Sequence, residues 1–241
     1  MTINTIIQAR MGSTRLPGKV LKQLSGKPII QHIIERVRDV KEVAQIIVAT
    51  SDQTEDDSLV EYISGLDDVF CFRGSELNVL NRFYHAYKEF PSDMVIRVTG
   101  DCPLIDPPLL RRLITLLIES NSRYATTEGF PLGVSAEIFT NELLEEAYSC
   151  ADRPYEFEHV TPYMYTRQES IVKLLSEEDL SGVRLTVDTA EDYLLVDTIY
   201  HEFSNQHFSL DDVLSLLSRT PALLEINGGI RQRNYWETYF T

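Results

Sequence analysis

Three cations follow the first apolar run of the chain, in a loop where they could grip a phosphate chain. Residues 8–19 read QARMGSTRLPGK and contain Arg10, Arg15 and Lys19. A guanidinium can hold two phosphate oxygens at once, whereas a lysine acts as a point charge. The glycines of the loop permit close backbone approach, and its hydroxyls can donate hydrogen bonds. The loop matches neither GxxxxGK[ST] nor GxGxxG, so its composition leaves open a phosphate site or a solvated basic turn.

Two aspartates end apolar runs further along the chain. Asp101 follows residues 97–100, and Asp188 follows residues 184–187. Either could simply cap a turn or helix, and Thr189 begins an [ST]-x-x-[DE] capping box. If both runs are neighbouring parallel strands, the two carboxylates meet at one edge of a cleft. Since Mg²⁺ takes one or two carboxylates together with phosphate oxygens and water, the pair predicts a magnesium site.

The elements that must position these side chains alternate between strand and helix. Apolar runs predict strands at about 5–9, 45–50, 69–72 and 94–99, separated by helices at about 28–37, 55–63 and 78–87. Asp106 and Pro107 are typical of a helix start. The alternation predicts an α/β fold with a mostly parallel sheet and helices on both faces. Ligands bind at the carboxyl ends of such strands, where the loop and Asp101 fall. Later segments predict a strand at 184–188 and helices at 189–200 and 210–217.

Composition excludes several classes of protein. The formal net charge of −15 argues against a nucleic-acid partner or an anionic membrane surface, both of which need basic patches. No apolar run approaches the ~20 residues of a membrane span. Three widely spaced cysteines offer neither a disulfide framework nor a CxxC pair. We therefore expect a cytoplasmic globular protein of 241 residues.

The loop at 8–19 is similar to the signature loop of cytidylyltransferases that activate acidic sugars, such as the CMP-Kdo and acylneuraminate synthetases. Further blocks resemble this superfamily in the expected order, most of all its spore coat polysaccharide biosynthesis protein F branch: 48–51, 72–75, 79–82, 97–105, 158–163 and 184–192. One departure is Asn78, where the branch usually has aspartate, so the acceptor sugar could differ.

This resemblance implies one nucleotidyltransferase domain over residues 1–241 with a GT-A-like (Rossmann-like) fold. Its nucleotide-binding core would span about 1–125 and 180–220. A small β-containing subregion at about 126–175 would bind the acceptor sugar and form a homodimer contact.

The resemblance also implies roles for individual residues. Catalysis would involve Arg10, Lys19 and Asp101, and Mg²⁺ would sit on Asp101 and Asp188. The nucleotide would contact a set drawn mostly from the loop: Gln8, Ala9, Arg10, Gly12, Ser13, Arg15, Lys19 and Arg73. The acceptor would contact Gly133, Glu137 and His159. Arg73 could instead be an ordinary surface arginine, and His159 a structural histidine.

The implied reaction is attack by a hydroxyl of a small, acidic sugar on the α-phosphorus of CTP, with release of pyrophosphate. A glycosyltransferase using a nucleotide-sugar donor on the same fold is the nearest alternative. The single aspartate of Gly-Asp-Cys-Pro, in place of a D-x-D motif, and the three-cation loop favour the nucleotidyltransferase. A non-catalytic nucleotide-sugar binder is a third interpretation, which retention of both aspartates and Lys19 disfavours.

Overall fold

A computed structural model describes residues 1–167, 171–204 and 207–232. Within those residues it contains a seven-stranded sheet and a two-stranded hairpin. The strands are β1 (Ile3–Gln8), β2 (Gln23–Leu24), β3 (Lys27–Pro28), β4 (Val43–Ser51), β5 (Val69–Gly74), β6 (Met94–Thr99), β7 (Tyr124–Glu128), β8 (Glu137–Thr140) and β9 (Val172–Leu175). The large sheet has the order β5-β4-β1-β6-β8-β7-β9, and β8 runs antiparallel to both of its neighbours. The predicted mostly parallel sheet is confirmed.

Helices connect the strands and pack around the sheet. Asp106 caps α4 by accepting the N–H of Leu109 at 3.0 Å, with Pro107 in the first turn as predicted. No described helix combines the length and the apolar character needed to cross a bilayer. The helices are α1 (Ile29–Arg38), α2 (Asp57–Ser64), α3 (Val79–Glu89), α4 (Pro107–Ser120), α5 (Asn141–Cys150), α6 (Pro154–His159), α7 (Pro162–Arg167), α8 (Ala190–Glu202), α9 (Leu210–Arg219) and α10 (Ala222–Glu225).

Alternate residues of the central strands point into two separate cores. On β1, Ile7 packs into one core and Ile6 into the other. On β4, Val48 and Ile47 divide in the same way. Parallel strands buried on both faces read as continuous apolar runs, which is why the sequence reveals them. The carboxyl ends of these strands are therefore held in place by packing on both faces of the sheet.

The second half of the chain extends the same sheet. β8 pairs with β6, β7 pairs with β8, and β9 pairs with β7. The predicted subregion at 126–175 thus contributes strands to the central sheet, although its residues 168–170 lie outside the described residues. The last residues of the predicted domain, 233–241, also lie outside the described residues. The boundaries of the subregion and its role in a dimer stay predictions.

The predicted strand at 184–188 is wrong. Among the described residues, this segment forms a single isolated bridge, between Arg184 and Leu132. Two backbone bonds hold it there, from the N–H of Leu132 to Val183 O at 2.9 Å and from the N–H of Leu185 to Leu132 O at 2.7 Å. Its apolar side chains are buried like those of a strand, but its backbone pairs with loops.

Gly133 makes this close pairing of loops possible. Its φ of +100° lies in the left-handed region, and a Cβ here would lie 2.3 Å from the backbone nitrogen of Thr186. Any side chain would force the two loops apart. The glycine therefore sets the distance between the 130s loop and the segment that carries Asp188.

A buried ion pair links the segment at 184–188 to the first turn of α8. Arg184 donates to both carboxylate oxygens of Asp192, from Nη2 at 2.8 Å and from Nε at 3.2 Å. Asn227 donates to the same carboxylate at 2.9 Å. Asp192 also accepts the N–H of Thr189 at 3.2 Å and caps α8. Burial works against ionisation of Asp192, but Arg184 and Asn227 hold its pKa below the ordinary value.

We expect Asp192→Asn to destabilise the fold by about 3 kcal/mol, because it removes the nearer of the two carboxylates that pair with buried Arg184 and leaves only Asp188, at 3.6 Å. The measurement is urea unfolding followed by circular dichroism. Since the folded pKa of Asp192 is depressed, its stabilisation is complete above the unfolded value of about 4 and is lost as pH falls through the folded value. The difference between wild type and variant should therefore shrink in acid.

Asp212→Asn is the matched control. Asp212 occupies the same capping-box position, at the start of α9, but it is exposed and its partner is Ser209. Asp212→Asn should therefore lower the free energy of unfolding far less than Asp192→Asn does. Equal destabilisation by the two variants would show that capping, rather than the buried ion pair, accounts for the effect.

Candidate active site

The loop at 8–19 is held in place by Asp56, a buried carboxylate. Asp56 accepts the N–H of Met11 at 2.6 Å, the hydroxyl of Thr50 at 2.9 Å and the N–H of Ser51 at 3.0 Å. Burial opposes its ionisation, yet these hydrogen bonds keep its pKa below the ordinary value. Gly18 closes the loop, with φ +66° and an N–H bond to Met11 O at 3.0 Å. Contacts within the protein thus fix the conformation of the loop.

Gly100 lets Asp101 turn against the end of β1. A Cβ at Gly100 would lie 2.8 Å from the Cβ of Ala9, and its N–H donates to Gln8 O at 2.8 Å. The hydroxyl of Thr99 then donates to Asp101 Oδ1 at 2.6 Å and fixes the carboxylate. The end of β6 therefore delivers Asp101 beside the loop, as the predicted topology requires.

Asp188 reaches the same place without a strand. The carbonyl of Asp101 accepts the N–H of Val187 at 2.8 Å and the hydroxyl of Thr186 at 3.1 Å. These two bonds bring the segment alongside the turn after β6. The predicted proximity of the two aspartates is correct, although the predicted means, two adjacent strands, is wrong.

Lys19 lies between the two carboxylates. Its Nζ is 2.9 Å from Asp101 Oδ2 and 2.8 Å from Asp188 Oδ1. Arg15 adds a contact of 3.0 Å to the other oxygen of Asp188. Burial would lower the pKa of Lys19, but the two carboxylates raise it above its usual value. Burial likewise opposes ionisation of Asp101, and Lys19 holds its pKa below the ordinary value.

These residues line one cleft of about 850 Å³. Its wall includes Asp101, Asp188 and His159, and every loop residue predicted to bind nucleotide: Gln8, Ala9, Arg10, Gly12, Ser13, Arg15 and Lys19. Arg10 pairs with Glu76 at 3.3 Å on the same wall. Burial and the nearby Arg97 lower the pKa of His159, while Glu158 acts in the opposite sense.

Three predicted contact residues lie outside the set of described residues that line the cleft. Arg73 pairs with Asp57 at 2.6 Å and donates to the carbonyls of Ser51 and Gln53. Gly133 has the structural role described above. Nothing in the cleft geometry supports ligand contacts for these two, and they stay predictions.

Glu137, the third, is linked to the cleft by a series of side-chain contacts. It binds Arg97 at 2.5 Å, and Arg97 Nε donates to Gln8 Oε1 at 3.1 Å. The hydroxyl of Tyr124 also donates to Glu137. Glu137 thus orients a residue that lines the cleft, and its own contact with an acceptor stays a prediction.

Sequence reasoning missed Asp56. It lies in the stretch predicted to form a helix at about 55–63 and was given no role, yet only 2% of its surface is exposed. The two polar residues Thr50 and Ser51, at the end of the otherwise apolar strand β4, are the signal that could have indicated a carboxylate partner. The loop therefore depends on a residue 45 positions away.

The residues at this site fit a divalent cation. No group of three or more His, Cys, Asp or Glu side chains suited to a metal occurs in the described parts of the chain. Two carboxylates are nevertheless what Mg²⁺ takes from a protein when phosphate oxygens and water complete its shell. Asp101 and Asp188 are such a pair, and the ammonium held between them marks a position of cationic character.

A mostly parallel sheet, with a cationic loop after its first strand and two carboxylates beside that loop, is the arrangement expected of a nucleotidyltransferase. The chain belongs to the cytidylyltransferase family, whose family model matches residues 4–216. The predicted class of enzyme, a sugar cytidylyltransferase, is confirmed, and this membership decides against the glycosyltransferase alternative.

Individual relatives agree with the family. The chain is 35% identical over 228 residues to the spore coat polysaccharide biosynthesis protein SpsF of Bacillus subtilis, covering 90% of this chain and 94% of that one. It is 31% identical over 197 residues to the 3-deoxy-manno-octulosonate cytidylyltransferase of Geotalea daltonii, covering 70% and 76%. A solved cytidylyltransferase from Leptospira borgpetersenii superimposes with a TM-score of 0.88 at 33% identity, covering 97% and 100%. The resemblance stated from the sequence is confirmed.

Because Lys19 sits between the carboxylates, we expect Lys19→Met to increase the affinity of the nucleotide-free protein for a divalent cation. Loss of the ammonium leaves two adjacent negative charges without their shared partner. Titration with Mn²⁺, followed by the electron paramagnetic resonance signal of the free ion, measures this directly. Lys22→Met, just outside the loop, is the control and should bind Mn²⁺ like wild type. Unchanged affinity in Lys19→Met would mean that the lysine does not compete with metal.

Proposed function

We propose that this enzyme transfers CMP from CTP to a hydroxyl of a sugar, with Mg²⁺ as cofactor. The observation that supports this proposal most directly is that Lys19 and Arg15 contact Asp101 and Asp188 in one cleft. It supplies cations for a triphosphate and carboxylates for a metal at a single point. A sugar that presents a nucleophilic hydroxyl there could attack the α-phosphorus and release pyrophosphate.

Positioning and charge neutralisation dominate phosphoryl-type transfer. Arg15 and Lys19 would exchange their carboxylate partners for phosphate oxygens, and the N–H groups of the loop would hold the remaining oxygens. Arg10 would add a third cation after release from Glu76. A Mg²⁺ held by Asp101 and Asp188 would supply Lewis-acid stabilisation of charge on the phosphate and lower the pKa of the attacking hydroxyl.

The acceptor would lie beside His159. This side chain lines the cleft near Arg97, whose guanidinium is already bound to Glu137 and Gln8. Depression of its pKa by burial favours the neutral imidazole, which can both donate to and accept from sugar hydroxyls. An acidic sugar of the kind activated by the Geotalea relative is the first acceptor to test.

The name of the Bacillus relative suggests where the product goes. We propose that the CMP-sugar is a precursor of a surface or spore coat polysaccharide, made in the cytoplasm. We also propose that the enzyme works as a homodimer through the subregion at 126–175. Analytical ultracentrifugation tests the dimer independently of catalysis.

We expect pyrophosphate release from CTP in the presence of a suitable sugar and Mg²⁺, and on the order of 10²-fold lower kcat in Asp101→Asn and Asp188→Asn. A panel of sugar acids and neutral sugars with each of the four nucleoside triphosphates, followed by phosphate NMR, is the measurement. Asp179→Asn is the control. Asp179 is exposed and does not line the cleft, so the kcat of this variant should match that of wild type. Turnover of a nucleotide-sugar donor without pyrophosphate release would refute the proposal.

A further inference from the structure

The link between α6 and α7 contains a strained residue. Val160 has φ +70° and ψ −58°, and the N–H of Thr161 donates to the carbonyl of His159 at 2.8 Å. These angles and this hydrogen bond define a γ-turn of the rare, strained kind. Positive φ suits a β-branched side chain least of all. Elsewhere in the described parts of the chain, the non-glycine residues with positive φ are not β-branched: Ser25, Asp68, Asn121 and Ser204.

The sequence explains why the strain falls on Val160. α6 ends at His159 and α7 begins at Pro162, so only two residues link the helices. Thr161 precedes a proline, whose ring disfavours the helical region for the residue before it. The change of direction between the helices is therefore left to Val160. Glycine is the ordinary residue for such a position, so a valine here indicates that its side chain contributes something that glycine cannot.

The side chain of Val160 holds the turn in place. It is 0% exposed and belongs to the core that also contains Val95, Tyr163 and Met164. A rotation of the backbone to negative φ would withdraw the methyl groups of Val160 from this core or pull α7 out with them. Because burial of apolar surface is favourable, packing of the side chain offsets the strain of the backbone.

An ion pair across the turn adds a second restraint. Glu156, on α6, is buried, and one of its carboxylate oxygens accepts Nη2 of Arg167, on α7, at 3.0 Å. The other oxygen accepts the N–H groups of Asp152 and Arg153, at 2.9 and 3.1 Å. One carboxylate thus fixes the start of α6 and ties it to the end of α7. Strained backbone persists only where the surrounding contacts over-determine it, and these two helices meet that condition.

The turn separates a cleft residue from a core residue. His159 lines the cleft, whereas Val160, the next residue, is buried in the core. Since Met164 anchors α7 in the same core, a rotation about the backbone of Val160 would move His159 relative to the cleft. We propose that Val160 is a positioning residue, whose strained turn holds His159 where the acceptor sugar would lie. This inference rests on the proposed function for the identity of the ligand, but not for the position of the histidine.

Exchanges to alanine and to glycine test the strain. At an ordinary position glycine destabilises more than alanine, because it frees the unfolded chain. At Val160 the order should be reversed, since glycine adopts positive φ freely. In urea unfolding, the folding equilibrium constant of Val160→Gly should be about 5- to 30-fold larger than that of Val160→Ala.

Val95, on β6, is the matched control, because it has the same side chain in the same core and is likewise 0% exposed. There the ordinary order should hold, with Val95→Ala more stable than Val95→Gly. The same order at both positions would overturn the inference.

Titration of His159 tests its position without any substrate. NMR of protein with 13C-labelled histidine follows the imidazole, whose signal among the five histidines is identified by its loss in His159→Asn. In wild type, burial and Arg97 hold the pKa of His159 below its ordinary value, against the influence of Glu158.

Val160→Ala should raise the pKa of His159 toward the ordinary value of about 6.5, because a relaxed turn exposes the imidazole to solvent. Val160→Gly should raise it less, and Val95→Ala should leave it unchanged. A folded Val160→Ala protein in which His159 titrates as in wild type would contradict the proposed positioning.

Arg167→Gln tests the turn without removing an apolar group, in case the Val160 variants do not fold. It breaks the ion pair with Glu156 and should raise the pKa of His159, as Val160→Ala does. Because it also removes a positive charge, Arg153→Gln is its control. Arg153 is exposed and contacts Tyr155, so its loss should leave the titration unchanged. Equal titration curves for the two arginine variants would count against the inference.

Kinetics separate this inference from the proposed function. With the sugar that supports pyrophosphate release in the panel above, Val160→Ala should raise KM for the sugar about 10-fold, the effect of losing one hydrogen bond, and leave KM for CTP unchanged. An equal rise in both KM values would indicate general damage to the fold and overturn the positioning role. If no sugar supports pyrophosphate release by wild type, the proposed function fails, whereas unfolding and titration still decide whether the turn positions His159.

Discussion

The salt bridge of Lys19 with Asp101 and Asp188 is the interaction on which the rest of the cleft depends. It joins the loop after β1 to the turn after β6 and to the segment before α8. Asp101 lies 82 positions after Lys19 along the chain, and Asp188 lies 169 positions after it. Without a cation between them, two carboxylates at this spacing would repel each other. Lys19 therefore balances the two carboxylates from within the protein. In the proposed reaction, phosphates and a metal ion would replace these internal partners.

Much of this arrangement was predictable because the residues that carry it stand at strand ends. The continuous apolar runs of β1, β4 and β6 locate the carboxyl edge, and Arg15, Lys19 and Asp101 follow directly. The segment at 184–188 differs from the predicted strand for a physical reason. Leu185 and Val187 are buried like strand residues, but the backbone bonds that confirm a strand depend on Leu132 and Asp101, which are distant in sequence. Burial alone does not distinguish a strand from a segment pinned between loops.

The residues that sequence reasoning missed share a property. Asp56, which holds the loop, and Arg82, which lines the cleft, are charged side chains that are almost fully buried. Each stands in a stretch that reads as an amphipathic helix. A pattern of residue types predicts which face of a helix is apolar, but it does not show that a charge on that helix turns inward. Such groups become visible only when their partners are known.

The C-terminal segment has a consequence for how the enzyme could be shortened. The family match ends at residue 216, whereas Asn227 reaches back to Asp192 at 2.9 Å and to the carbonyl of Arg184 at 3.1 Å. Those two residues frame the stretch that delivers Asp188. Trimming the chain to the residues that the family model matches would thus remove a carboxamide that lies two contacts from Asp188. The contacts that hold Asp188 in the cleft therefore extend past the residues that define the family.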